Sequence, residues 1–125
     1  SMFDKELVVD ILKNIIWAIE QIARRVQSVK TSDDFIRDDQ CLEKLDSVCM
    51  QMINIGEALK QIDKLTDGKL FANYPDVDWK KAKGMRDIIT HHYFDIDAET
   101  VFTVCSEHIP QIKKVIKKIL DNLGK

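Results

Sequence analysis

Apolar residues recur along most of the chain at three- and four-residue spacing. Phe3, Leu7, Ile11, Ile15, Ala18, Ile22, Val26 and Val29 form one stripe, the pattern of a long amphipathic helix. Thr31-Ser32-Asp33-Asp34 then supplies capping residues ahead of the next helix. That second helix carries Leu42, Leu45, Val48, Met52, Ile55, Leu59 and Ile62, and its pattern fades near Asp67-Gly68 into a loop that runs to Pro75. Asp76 or Asp78 can cap a third helix from about Trp79 to about His92. Asp95 and Asp97 can cap the last helical stretch, which carries Val101, Phe102, Cys105, Ile109, Ile112, Ile116, Ile119 and Leu123. Pro110 falls inside it, and a residue without an N–H that crowds the preceding turn should kink or split the helix there. No alternating strand pattern competes and no internal repeat is present. The expected architecture is all-α: an up-and-down bundle of four helices, or five if Pro110 breaks the last.

A chain of 125 residues fits one domain with a real core. We assign residues 2–125 to it, because Ser1 ahead of Met2 reads as a cleavage scar. Hydrophobic residues at 45% and charged residues at 32% are an ordinary globular balance. No apolar run suits a membrane span and no signal-peptide pattern follows Met2, so the expectation is a cytoplasmic protein. A net charge of −2 carries no basic excess, so any RNA contact needs a local basic cluster. Lys113, Lys114, Lys117 and Lys118 lie opposite the last apolar stripe, as a solvated face or a phosphate-attracting rim. Lys80, Lys81 and Lys83 are better placed for a rim. The three cysteines, Cys41, Cys49 and Cys105, are odd in number and match no zinc spacing. We read them as buried apolar residues with no chemistry.

The chemistry concentrates in Gly84-Met85-Arg86-Asp87-Ile88-Ile89-Thr90-His91-His92-Tyr93-Phe94. On an ideal helix Trp79, Ala82, Arg86, Ile89 and Tyr93 share one stripe, which should face other protein. A guanidinium there is either a structural salt bridge, to Glu57 or Asp87, or a phosphate clamp suited to its planar fork. His91 and His92 can be structural, interacting with the negative end of the helix, or catalytic. Five residues put Arg86 and His91 about 140° apart on an ideal helix. They converge only if the helix ends or distorts before His91, or if two subunits bring their motifs together. No His-Glu helical pair, Cys cluster, glycine-rich phosphate loop or serine nucleophile motif is present. An enzyme built here would work through Arg, His and Tyr, and we expect neither a metal nor a cofactor.

At these residues the chain resembles the HEPN superfamily, whose signature is an arginine followed after four to six residues by a histidine. It is most similar to the HepT-like form: Arg86, four residues, His91, one residue, Tyr93. Ile55-Gly56-Glu57-Ala58, the run from Pro75 through Trp79 to Arg86, Tyr93-Phe94-Asp95-Ile96-Asp97 and Ile109-Pro110 extend the likeness over nearly the whole chain. The resemblance implies a homodimeric, metal-independent ribonuclease toxin paired with a minimal nucleotidyltransferase antitoxin. It implies His91 as general acid or base, Arg86 on the phosphate, and Tyr93 as the hydroxyl that receives AMP. Asp87 and Glu57 would support the site, and His92, the variable position, carries no role. RNA is the implied substrate, with no membrane or DNA partner.

Two other readings compete. One is a non-catalytic helical partner that docks onto a small nucleotidyltransferase, as a regulatory or nucleotide-binding module; the modest net charge favours it, and the intact Arg–His–Tyr set favours the nuclease. The other is a structural dimer in which Arg86 is a buried salt-bridge residue. A shared fold does not decide between them.

Overall fold

The computed structural model describes residues 3–92 and 94–124, with His91 and His92 described by their backbone. Two long helices dominate it, α1 (Lys5–Arg25) and α2 (Asp39–Leu65). They pack along each other, and α1 also packs against the C-terminal helix. Asp4 caps α1, accepting from Leu7 N at 3.0 Å. The buried side of α1 is Val8, Val9, Ile11, Leu12, Ile15, Ala18, Ile19, Gln21 and Ile22. It is broader than the expected stripe and rotated from it, so Leu7 stays exposed, as does Leu42 on α2.

The connection between these helices differs from expectation. Thr31-Ser32-Asp33-Asp34 does not cap α2. It opens a single tight turn, Ser32–Phe35, in which the Asp34 carboxylate accepts from Lys30 N (2.7 Å) and Thr31 N (3.1 Å). That turn buries Phe35 completely. The cap of α2 is Asp38, whose carboxylate accepts from Cys41 N at 2.9 Å. This bond holds the Asp38 carboxyl below its ordinary value.

After α2 the chain turns through Asp67 and Gly68, both at positive φ. It then makes the short helix α3 (Lys69–Ala72) where an open loop was expected. Phe71 stacks on Trp79, ring centroids 4.1 Å apart, and the Trp79 indole donates to Tyr74 O at 2.7 Å. The third helix is two pieces, α4 (Trp79–Lys83) and α5 (Met85–Ile89), separated at Gly84. It ends at Ile89, earlier than the expected His92. Thr90 has extended backbone and begins β1 (Thr90–His92), which pairs antiparallel with β2 (Asp95–Ile96). This small hairpin was not anticipated.

Asp97 caps α6 (Ala98–Thr103), accepting from Thr100 N at 3.1 Å. The last helical stretch does divide ahead of Pro110. Residues Val104–His108 open into a wider turn in which Ile109 N–H reaches back to Val104 O, and α7 (Ile109–Asn122) follows with Pro110 in its first turn. The wide turn is what accommodates proline there, since it opens the preceding carbonyls, which the ring would otherwise crowd and the missing N–H cannot serve. Ser106 Oγ donates to the Phe102 carbonyl at 2.9 Å, with the Thr103 carbonyl at 3.3 Å, covering oxygens the wide turn leaves over. The fold is all-α apart from the hairpin, with one core drawn from every long helix. Among the described residues no helix is long and apolar enough to cross a membrane.

Candidate active site

The junction of α5 with the hairpin is set by Gly56 and Gly84. Gly56 lies buried on α2, where a Cβ would stand 3.1 Å from Lys83 O and 3.3 Å from Ala82 O. A Cβ there would be tighter against backbone than ordinary contact and would push α4 back by a few tenths of an ångström, so glycine lets the end of α4 rest closely on α2. Lys83 adds a second tie by pairing with Asp63 of α2. It is thus committed to the fold, and only Lys80 and Lys81 of the expected basic rim are exposed. Lys114, Lys117 and Lys118 are exposed on α7.

Gly84 resets the helical phase. Trp79 and Ala82 are buried on α4, and Met85 and Ile89 on α5. Arg86 lies one residue past the new buried position and is exposed, as is Asp87. Arg86 is therefore not buried within the chain, because a period carried across Gly84 puts it on the solvent side, and of the two expected settings, burial or an interface, only the interface is left. Its proposed acid Glu57 is also exposed and pairs with Lys60 at 2.8 Å. Among the described residues no acid lies within ion-pair distance of Arg86. The salt-bridge reading loses its physical basis.

The helix end bears on the other geometric question. Thr90 Oγ1 donates to Arg86 O at 2.9 Å, occupying a carbonyl of the last turn while the backbone leaves the helix. His91 therefore sits on extended chain, and the 140° separation of an ideal helix no longer applies. Asp97 N donates to Ile89 O at 2.9 Å, pinning the return strand to the end of α5. Tyr93 lies outside the described residues. Phe94, at the hairpin turn, is 93% exposed, and the sequence pattern assigns it no role of its own.

Two features lie apart from this junction. A cavity of about 540 Å³ is floored by Val77, Ala82, Met85, Ile88, Val104 and Ile112, and none of Arg86, Asp87 or Glu57 lines it. Among the described residues no group of three or more His, Cys, Asp or Glu is placed to hold a metal ion. Cys49 is buried, while Cys41 and Cys105 are half-buried.

A small helical bundle with Arg86 exposed where a helix gives way to the strand that begins at Thr90 is the setting in which the HEPN-like motif of this chain falls. The family model Ribonuclease HepT-like matches residues 15–119, and the chain belongs to that family. "Putative RNase MJ0125" of Methanocaldococcus jannaschii is 39% identical over 75 residues, covering 60% of each chain. "Putative RNase TTE0752" of Caldanaerobacter subterraneus subsp. tengcongensis is 28% identical over 87% of this chain and 90% of its own. "Probable ribonuclease HepT" of Thermococcus cleftensis is 30% identical over 88% of this chain and 93% of its own. Matches to three relatives from M. jannaschii cover only 60%, 57% and 48% of their lengths. No solved structure matches at comparable significance.

Proposed function

We propose that this chain is a metal-independent endoribonuclease, acting in the cytoplasm as the toxin of a pair whose antitoxin is a minimal nucleotidyltransferase. The observation that carries the reading is Arg86: in a chain of the ribonuclease HepT-like family, it is exposed on a short, firmly packed helix with no acid partner among the described residues. Arginine so presented is suited to hold an RNA phosphate bidentately and to stabilise charge that builds up on it. His91 supplies proton transfer, since imidazole titrates near neutrality. Metal-independent cleavage needs a base for the attacking 2′-hydroxyl and an acid for the leaving 5′-oxygen. One His91 does one of these tasks at a time. A homodimer with its motifs at the two-fold axis supplies the second imidazole.

Control in this reading falls on Tyr93. Transfer of AMP from ATP to its hydroxyl, with loss of the phenol proton and release of pyrophosphate, adds a phosphodiester charge close in sequence to Arg86 and His91. The new phosphate satisfies Arg86 in place of RNA, and the adenosine blocks approach. Asp87 orients the site from α5. Glu57, paired with Lys60, is left with at most a distant supporting part.

Replacing His91 or Arg86 by Ala should lower RNA cleavage about a hundredfold or more. Arg86→Ala should leave unfolding free energy within about 0.5 kcal/mol of wild type, as expected of an exposed residue without a partner. Cleavage should persist in chelator. Incubation with the nucleotidyltransferase and ATP should add AMP mass to the peptide holding Tyr93 and stop cleavage, and Tyr93→Phe should escape both. Wild-type cleavage by purified His91→Ala would reject His91 as the proton-transfer group, and absence of cleavage by the purified wild-type chain would instead favour the non-catalytic partner.

A further inference from the structure

The C-terminal end of α1 gathers two positive charges that the described residues do not balance. Arg24 Nη2 donates to Gln21 Oε1 at 2.6 Å, and Arg25 Nη1 donates to the same oxygen at 2.9 Å. Arg25 Nη1 also donates to the Gln21 carbonyl at 3.2 Å. Adjacent residues on a helix point about 100° apart, so neighbouring arginines ordinarily spread. Here both turn back onto one amide. Gln21 is 7% exposed, within the buried face of α1, so packing fixes the group on which they converge.

Two guanidiniums on one neutral oxygen repel each other. Among the described residues no carboxylate lies within ion-pair distance of either, Glu20 on the same helix included. The helix end offsets only part of this charge, because its dipole is worth about half an elementary charge. A guanidinium has five N–H donors, and a single nitrogen of each is used here, so most donors are left for a ligand. Lys44 of α2 brings a third positive charge to this end of α1. Its Nζ donates to Ser28 Oγ at 3.1 Å, and it too has no acid within ion-pair distance. These features call for an anion with more than one charge and several acceptor oxygens. A carboxylate is matched by one guanidinium fork. A phosphate monoester carries about −1.5 to −2 charges near neutrality and offers three acceptor oxygens, enough to engage two forks at once.

We infer that Arg24 and Arg25, gathered by Gln21, form a binding site for a phosphate monoester, carried by a free small molecule or by the end of an RNA strand. The planar forks hold the phosphate oxygens in pairs, and the ligand supplies the counter-charge that the chain itself does not place between them. The site lies on α1, and the ribonuclease reading of Arg86 and His91 does not draw on it. It stands or falls without that reading.

The test titrates the isotope-labelled, intact chain with inorganic phosphate at about pH 7.5, where the phosphate is mostly dianionic. Chloride holds the ionic strength constant, and the arginine Nε–Hε resonances are followed by NMR. Arg24 and Arg25 should shift together, and Arg24→Ala or Arg25→Ala should each weaken binding about tenfold or more. Gln21→Glu should fold and lose phosphate binding, because its own carboxylate then sits between the two guanidiniums. Two further ligands identify the source, AMP and a short unstructured RNA with a 5′-phosphate, the RNA measured on His91→Ala protein. Binding of AMP but not of the RNA assigns the site to small phosphates. Binding of the RNA that disappears with a 5′-hydroxyl assigns it to a strand end. An RNA with a 5′-hydroxyl that shifts both arginines equally well overturns the monoester in favour of the backbone diester. Equal shifts with acetate, unchanged affinity in Arg24→Ala protein, or no shift up to roughly 10 mM phosphate overturns the site itself.

Discussion

Gly56 has a task that no other residue can take over without moving the backbone. Its missing Cβ would lie 3.1 Å and 3.3 Å from the last two carbonyl oxygens of α4, and backbone carbonyls give way less readily than a side-chain tip. Gly56→Ala should therefore destabilise the protein by about 1–3 kcal/mol despite alanine's better helix propensity. It should also lower cleavage, because α4 moves away from α2 and carries α5 with it. Urea unfolding read by circular dichroism, beside an activity assay, checks both; a stabilised variant would show that the contact is slack. The cysteines make a different residue-level statement. Burial pushes Cys49 up to about 12, with the Asp46 charge adding to it, and burial pushes Cys105 up to about 12, with Cys49 adding to it. Both thiols start from 9.0 when unfolded. Between pH 9 and 12 the unfolded chain sheds protons the folded chain retains, so stability is full below pH 9 and falls as pH rises through that window. Unfolding free energy compared at about pH 8.5 and about pH 10.5 should drop less in a Cys49→Ala/Cys105→Ala variant than in wild type. At this scale, the sequence marked candidate residues more readily than where they face. Arg86 was recognisable by its spacing to His91 and Tyr93, but its exposure was not, since a period of about 100° counted from Trp79 fails across Gly84.

The elements fall into two groups by legibility. The long helices, α1, α2 and the stretch ending in α7, each repeat an apolar residue over many turns, so the period averages out local irregularity. Even there the buried face came out rotated, with Val8, Leu12 and Ile19 inside and Leu7 outside. The short elements depend on single residues: a phase break at Gly84, a wide turn ahead of Pro110, and a hairpin of three and two residues. No periodicity can reveal elements this short, and tertiary packing decides them. The candidate site sits wholly within this second group, which is why its motif was legible and its shape was not. Asp97 is where the two meet. Its carboxylate caps α6, with Thr100 N at 3.1 Å and Thr100 Oγ1 at 2.6 Å, while its N–H secures the hairpin to Ile89. Asp97→Ala removes the cap and should cost about 1–2 kcal/mol. The backbone bond survives that substitution, but the segment making it is loosened. Cleavage should therefore fall beyond what the unfolded fraction accounts for, and hydrogen exchange at residues 90–97 should quicken while α1 and α2 stay protected. Uniform quickening across the chain would show that Asp97 acts only through global stability.

At the scale of the whole molecule the proposed ribonuclease is complete either in one protomer or only in two. Since α5 ends before His91, convergence of Arg86 and His91 no longer requires a second chain, and the case for a dimer rests on proton accounting. Strand cleavage without a metal moves one proton off the nucleophile and another onto the leaving group, and the proposed mechanism assigns only His91 to both. If two-fold symmetry places both His91 residues at one cleft, a dimer with one altered subunit has lost either its acid or its base. Each such dimer is then inactive, although half its histidines are intact. Wild-type and His91→Ala chains co-refolded in equal amounts distribute at random, so only about a quarter of the dimers are wild type on both sides. Activity should follow that quarter, falling with the square of the wild-type fraction as the ratio is varied. Protomers that act independently would instead retain half the activity and give a straight line. Sedimentation run on the same mixtures fixes the oligomeric state. A linear titration from dimeric protein would reject the shared cleft while leaving the dimer, and a linear titration from monomers would reject both.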